Sequence, residues 1–245
     1  MNKNIGRAIR FDDYVVYDCP RCGDTTLTFD KDSFIFQETA SSQQNSKNSI
    51  NSDPDDIKYK FTGWLKCNNN LCNEAVSCLG DAFINSDIEE KNGKLQLICH
   101  RYYRPIIFSP SLKYIHLPSQ CSNEVSSSLE EAFQLTLLSP NAAANKIRIA
   151  IEYLLSNIHA TEGKKLHSRI EAAYKDKKIS TNLRDLLLAI KWLGNDGSHA
   201  NTTLSTDDIL FAYSMIEKAF EEIYPIDDPF QKNVQEILKN KGVKK

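Results

Sequence analysis

The sequence predicts an α+β fold: a small antiparallel β lobe stapled by cysteines, then an all-α antiparallel helical bundle. Three observations predict it. Two cysteine pairs, Cys19-Pro-Arg-Cys22-Gly and Cys67-Asn-Asn-Asn-Leu-Cys72, both lie in the first third of the 245 residues. Strand-like alternation fills the chain up to residue 105, and a period near 3.6 takes over after residue 125.

The elements follow in order. Asp13–Cys19 (DYVVYDC) leads as a strand into the first cysteine pair, and Thr25–Phe29 leads out. Phe34–Gln37 is a further short strand. Ile57–Cys67 (IKYKFTGWLKC) enters the second pair and Glu74–Leu79 leaves it. Lys94–Tyr103 closes the lobe after the turn signal Asn92-Gly93. Between the pairs, residues 39–56 (TASSQQNSKNSINSDPDD) are polar with almost no apolar anchor, which predicts an exposed, disordered-type insert. The expected domains are residues 1–105 for the β lobe, 106–125 for a connection, 126–226 for the bundle and 227–245 for a tail.

In the second half, Ser126–Leu138 is the first helix. Ser139-Pro140 reads as an N-cap followed by proline at the first helical position. The next helix places Ile147, Ala150, Ile151, Leu154 and Ile158 on one stripe. Leu166, Ile170, Ala173 and Tyr174 mark a third, and Leu183 to Leu193 a fourth that ends at Gly194. Ser205-Thr-Asp-Asp208 resembles a capping box opening a fifth helix, which Pro225 stops. Phe230–Lys239 could add a last helix. Short connections between amphipathic helices favour antiparallel packing.

Composition narrows the function. Net charge is −2, with 14 basic and 15 acidic residues in positions 1–120, so no bulk electrostatic field marks a nucleic-acid or membrane binder. The first ten residues hold no apolar secretion signal and no run is long enough to span a bilayer, which sets the expectation of a cytoplasmic protein with no membrane partner. Seven cysteines in that setting point to metal over disulfides.

A Cys-x-x-Cys knuckle ending in glycine lets two thiolates approach one ion, and a second pair closes a tetrahedral site. Cys19, Cys22, Cys67 and Cys72 are therefore the expected ligands of a structural Zn2+. Four thiolates leave no open position for substrate, so the metal serves the fold of a zinc-ribbon-like lobe. Cys78, Cys99 and His100 are alternative ligands. Tyr102, Tyr103 and Arg104 could form a stacking surface for bases.

The helical half resembles an uncharacterised bacterial family of the HEPN superfamily. Three segments carry the resemblance: Ser139-Pro-Asn-Ala-Ala-Ala-Asn-Lys-Ile-Arg148 through Glu152, Ile190-Lys-Trp-Leu-Gly-Asn-Asp-Gly-Ser-His199, and Glu221-Glu-Ile-Tyr-Pro225. It covers roughly residues 125–226 and implies a HEPN-like bundle, a homodimer and a setting in restriction or phage defence. Many HEPN proteins resemble metal-independent ribonucleases built on an Arg, a polar residue beside it and a His four positions later. Asn195 and His199 fit the last two positions, and Gly194 stands at the Arg position. Lys191, one turn earlier, and Arg148 are candidate replacement cations for a phosphate. The plainer expectation for Arg148 is an i,i+4 pair with Glu152, and for Gly194 and Gly197 that they shape a helix exit.

Two charge runs complete the inventory. Lys164–Arg184 carries seven basic residues against two acidic ones, and Lys175, Lys177 and Lys178 are its candidate nucleic-acid contacts. Asp207–Asp228 is its acidic opposite, and the two could pair across a homodimer. The expected function is a non-catalytic recognition or adaptor module for nucleic acid, RNA included, or for a partner protein in bacterial defence. The alternative is a metal-independent endoribonuclease using His199.

Overall fold

A computed structural model describes residues 5–11, 13, 15–23, 25–48, 54–91, 93–158, 165–197, 203–225, 234 and 237–239. Six strands come first: β1 (Ile9–Arg10), β2 (Val16–Asp18), β3 (Thr26–Glu38), β4 (Lys58–Cys67), β5 (Ala75–Lys91) and β6 (Lys94–Ser109). They form one antiparallel sheet in the order β1-β6-β5-β4-β3-β2. Helix α1 (Ala40–Asn48) lies between β3 and β4. Among the described residues five complete helices follow the sheet: α2 (Asn123–Leu135), α3 (Pro140–Asn157), α4 (Leu166–Lys175), α5 (Thr181–Asp196) and α6 (Thr206–Ile223).

The chain is α+β, but the expected fold class is corrected. The N-terminal half is a six-stranded antiparallel sheet with strands of up to 17 residues, and the cysteine cluster sits near one end of it. A compact zinc-ribbon-like lobe does not describe it. Thr25–Phe29 and Phe34–Gln37, expected as separate strands, are the two ends of β3, whose register against β4 shifts between Asp30 and Ile35. Such an irregularity breaks the period of two that a sequence scan follows. The last strand likewise runs through Pro105 to Ser109. Pro105 pairs opposite Gly80 beside another register shift, where a missing donor is tolerated.

Within residues 39–56, Ala40–Asn48 form α1. Ser42, almost fully buried, donates from its hydroxyl to Glu38 at 2.7 Å and accepts from the Lys58 backbone N–H at 3.2 Å. One polar side chain thus ties α1 to both strands of the β3–β4 hairpin. No apolar periodicity announces such an anchor.

Strand β4 shows why the sheet forms. Phe61, Gly63, Leu65 and Cys67 are buried while Lys58, Lys60, Thr62, Trp64 and Lys66 are exposed, the alternation of a sheet with one wet face. The covered face carries a nest of aromatic rings. Phe34 stacks on Phe61 at 5.4 Å, and Tyr103 meets Phe29 edge-on at 5.0 Å.

The helices bury a second cluster. On α3, Ile147, Ile151, Leu154 and Leu155 are fully buried, each contributing about 1.5–3 kcal/mol of transfer free energy before ordering costs. Helix α6 opens with the expected capping box: the Asp208 N–H donates to the Ser205 hydroxyl, and the Ser205 N–H to the Asp208 carboxylate. Tyr114 and Leu210 pack on both clusters and so join sheet to helices. Tyr114 stacks on Tyr213 at 5.4 Å, and the Tyr213 hydroxyl bonds to the buried Thr136 hydroxyl at 2.8 Å.

The acidic run reaches the segment of the basic one within one chain through a neutral residue. Glu222 on α6 accepts from the backbone N–H and the hydroxyl of Ser180, the N-cap of α5. No described helix is long and apolar enough to cross a membrane. The expected tail helix, Phe230–Lys239, lies outside the described residues except for 234 and 237–239.

Candidate functional site

The four expected ligands come together. The register pairs Leu27 with Cys67, which sets the exit of β4 beside the entrance of β3. The knuckle between β2 and β3 and the turn between β4 and β5 therefore share one end of the sheet. The long interval between Cys22 and Cys67 is the path out along β3 and back along β4.

Within the first knuckle the Gly23 N–H donates to the Cys19 carbonyl at 3.0 Å, and Gly23 takes φ +70°, the turn that favours glycine. The sulfur atoms of Cys19, Cys22, Cys67 and Cys72 all lie within 4.8 Å of one another. Cys19 Sγ is 3.8 Å from Cys72 Sγ, and Cys22 Sγ is 3.7 Å from Cys67 Sγ. A tetrahedral zinc with Zn–S bonds of about 2.3 Å has sulfur–sulfur edges of about 3.8 Å. A disulfide would need about 2.05 Å. The donor set and its spacing fit a tetrahedral metal site.

The surroundings favour thiolates on some ligands and oppose them on others. Burial pushes the Cys19 thiol up to about 12, against backbone hydrogen bonds from Cys22 and Arg21. Desolvation also raises Cys72, while its backbone bond to Glu74 works the other way. The Thr25 hydroxyl, 3.0 Å from Cys67 Sγ, draws that thiol below its ordinary value, helped by the Asn69 N–H at 3.4 Å. A bound dication would supply the charge that four neighbouring thiolates otherwise lack. Thr25 is a member of the site the sequence did not reveal. Its one signal is a hydroxyl three residues after Cys22, a common arrangement without chemical meaning until the β3–β4 register brings Cys67 alongside.

Cys78, Cys99 and His100 stand elsewhere. Cys78 is buried in the core of the sheet, Cys99 is exposed beside Ser86, and His100 bonds to Glu89 at 2.9 Å. The expected stacking trio is divided by the pleat. Tyr103 is buried, while Tyr102 and Arg104 point to the opposite face.

Around Gly194 the structure explains an unusual residue. Helix α5 continues past Gly194 to Asp196, with Gly197 as C-cap. A Cβ on Gly194 would lie 2.7 Å from Arg148 Cβ and 3.2 Å from the Ala144 carbonyl oxygen. One on Gly197 would lie 2.7 Å from the Asn141 carbonyl oxygen. Two glycines one turn apart thus let α5 press against α3. The stem of Arg148 covers Gly194, and its guanidinium pairs with Glu152 at 3.1 Å, the i,i+4 pair expected from the sequence. Arg148 Nε is buried with no hydrogen-bond partner among the described residues.

Lys191 lies with its ammonium 3.3 Å from the centre of the Trp192 ring. Asn195 sits half-buried in the last turn of α5. Asn141 Oδ1 accepts from the Leu204 N–H at 2.9 Å, holding the return of the chain against the start of α3. His199 lies outside the described residues. Lys175, Lys177 and Lys178 are all exposed on the turn from α4 to α5. The Lys178 backbone N–H donates to the Ala173 carbonyl and that of Lys177 to the Tyr174 carbonyl, with Lys177 at φ +57°, so a Schellman motif shapes this cationic corner.

Fold and site together define an α+β protein with a metal-compatible four-cysteine cluster at one end of its sheet. Residues 8–108 match the family model of a domain of unknown function, DUF8608, and residues 130–242 match that of a second, DUF4145. No curated protein and no solved structure matches the chain. The observed fold, a six-stranded antiparallel sheet followed by helices, replaces the expected zinc ribbon and HEPN-like bundle, and neither family model names such a bundle.

Proposed function

We propose that the chain is a non-catalytic recognition module whose target is nucleic acid. The observation that carries this reading is that both cations named for phosphate chemistry are engaged within the helices. Arg148 is paired with Glu152 and laid over Gly194, and Lys191 rests on Trp192. The cysteine cluster adds support, since four thiolates around zinc would leave no position for substrate. Lys175, Lys177 and Lys178 form an exposed cationic corner suited to phosphates. A role in bacterial defence belongs to this proposal and rests on the resemblance of residues 125–226 alone.

One observation favours a second reading, the endoribonuclease. The stem of Arg148 fills the space above Gly194, so an arginine of α3 lies against the position where the resemblance expects one. With Asn195 to orient and His199 to move a proton, that arrangement would suffice for cleavage at the 2′-hydroxyl.

A single assay separates the two. Labelled mixed-sequence RNA is incubated in EDTA with wild type, His199→Ala and Arg148→Ala, and both anisotropy and strand integrity are followed. Binding without cleavage supports the recognition module. Cleavage by wild type that both variants lose establishes the ribonuclease. Neither binding nor cleavage, with RNA and with single-stranded DNA, defeats the nucleic-acid reading.

A further inference from the structure

Among the described residues, no α-helix covers the side of the sheet that β4 leaves exposed, although His100, in the row beyond Tyr102, is buried there. The register places its members. On β4, Lys58, Lys60, Thr62, Trp64 and Lys66 point away from the core, and opposite them on β5 stand Phe83, Asp81, Leu79, Ser77 and Ala75. Tyr102 and Arg104 of β6 continue the rows of Phe83 and Asp81.

Two features of this face are unlike an ordinary solvated surface. The first is aromatic. Trp64 is 49% exposed, and the half-buried rings of Phe83 and Tyr102 lie parallel, 5.6 Å apart and 10° from coplanar. The second is charge. Lys58, Lys60, Lys66 and Arg104 share the area with two carboxylates, and both carboxylates are already bonded: Asp81 to Lys60 and Arg104, Asp30 to Lys66 at 2.8 Å. Lys58 holds its ammonium 5.6 Å over the Phe83 ring and donates to the Asp55 carbonyl at 3.0 Å, so the acidic turn Pro54–Asp56 borders the patch at that end. Along the strands, four cations against the two bonded carboxylates leave a positive excess beside Trp64 and Tyr102, while Asp55 and Asp56 lie at the Lys58 end. The acids Asp87 and Glu89 lie in the same alternation further along β5, past its pairing with β4, and bound the patch on that side.

We infer that this face binds single-stranded nucleic acid, with bases stacked on Trp64 and on the Phe83–Tyr102 pair and phosphates attracted by the surplus positive charge of Lys58, Lys60, Lys66 and Arg104; the ion pairs of the last three lie at the surface and are exchangeable. The inference rests on the recognition reading and gives it a site. Rings presented on a sheet need unpaired bases, because a duplex hides its base faces. Among the described residues no α-helix stands on this face to enter a groove. Trp64 and Lys58 are six residues apart on β4, about 20 Å along the strand. One short oligonucleotide spans that distance, since sites on comparable open sheets start at about 4 nucleotides.

The chain's two tryptophans are Trp64 and Trp192, so Trp192→Phe leaves Trp64 as the sole reporter. This full-length variant is titrated with an oligouridylate and with the corresponding DNA, following tryptophan emission and, in parallel, the anisotropy of a labelled strand. Quenching of Trp64 that saturates with the anisotropy is the expected result. Trp64→Ala should weaken binding roughly 5- to 150-fold, the range of one lost base–aromatic stack. The double variant Lys58→Ala/Lys66→Ala should flatten the salt dependence. Strands that bind with Trp64 emission unchanged and with full affinity in Trp64→Ala would move the site elsewhere and leave the recognition reading standing. No binding of either strand would remove both.

Discussion

Replacing Gly194 by alanine tests the contact on which the interpretation of α5 depends. The added Cβ would sit 2.7 Å from Arg148 Cβ and 3.2 Å from the Ala144 carbonyl oxygen. Ordinary carbon contacts lie at about 3.5–4.0 Å, so the closer overlap is roughly 1 Å. Neither partner can rotate away, since one is a Cβ and the other a backbone oxygen. The two helices must separate, and overpacking of this kind costs about 1–3 kcal/mol. Against it stands the gain of about 1 kcal/mol for alanine over glycine inside a helix. The expected net loss is about 1 kcal/mol, which lowers Tm by roughly 2–8 °C for domains in this size range. Gly197→Ala meets the Asn141 carbonyl oxygen at 2.7 Å and stands at the C-cap, where the propensity gain is smaller, so its loss should be larger. Because both substitutions push the same helices apart, the double variant should lose less than the sum of the single ones. Scanning calorimetry of the three variants decides the matter. A rise in Tm for Gly194→Ala, as in an unconstrained helix, would refute the close approach of α3 and α5.

Three further outcomes follow from other parts of the molecule. Titrating the native protein with a mercurial in the presence of a chromogenic chelator should release a single zinc per chain. Cys72→Ser should not retain the metal and should lose on the order of 10 kcal/mol of sheet stability, and full metal content in that variant would count against the cluster. Thr136→Val removes the partner of the buried Tyr213 hydroxyl and should destabilise by about 1–3 kcal/mol in urea unfolding; unchanged stability would mean that the hydroxyl finds another acceptor. For Asp81, burial opposes ionisation, but hydrogen bonds from Lys60 and Arg104 outweigh it and hold the carboxyl below its usual range. A depressed folded-state value gives stability that is present above the unfolded value of about 3.9 and lost as the pH falls through the folded one. Asp81→Asn should therefore lower the urea midpoint at neutral pH by the equivalent of at most about 1 kcal/mol, with the gap to wild type closing in acid; a gap that does not change with pH would assign the loss to packing.

Local rules served well wherever a signal is carried by neighbours in sequence. The knuckle of Cys19 and Cys22, the capping box of Ser205 and Asp208, the apolar stripe of α3 and the pair of Arg148 with Glu152 each depend on residues within one turn or one knuckle. The same rules failed where partners are distant. The two short strands expected over residues 25–37 are one strand because an irregular register hides its period. Helix α1 stands in a stretch expected to be mobile because Ser42 reaches across to Glu38 and Lys58. Helix α5 passes Gly194 because the glycine answers to α3, not to the end of its own helix.

By itself, the sequence determined that two cysteine pairs could close one site, that a strand-rich half precedes a helical one, and which stripe of α3, α4 and α5 is apolar. Only the tertiary structure decided that the strands make a single six-stranded sheet, that Thr25 lies against Cys67, and that Tyr102 and Tyr103 face opposite sides. It also set Trp64, Phe83 and Tyr102 on one uncovered face among lysines. The physical reason is register. Side chains on a strand alternate every residue, and a single irregular step transfers every later one to the other face, so which distant residues meet is fixed by pairing across strands and not by any window along the chain.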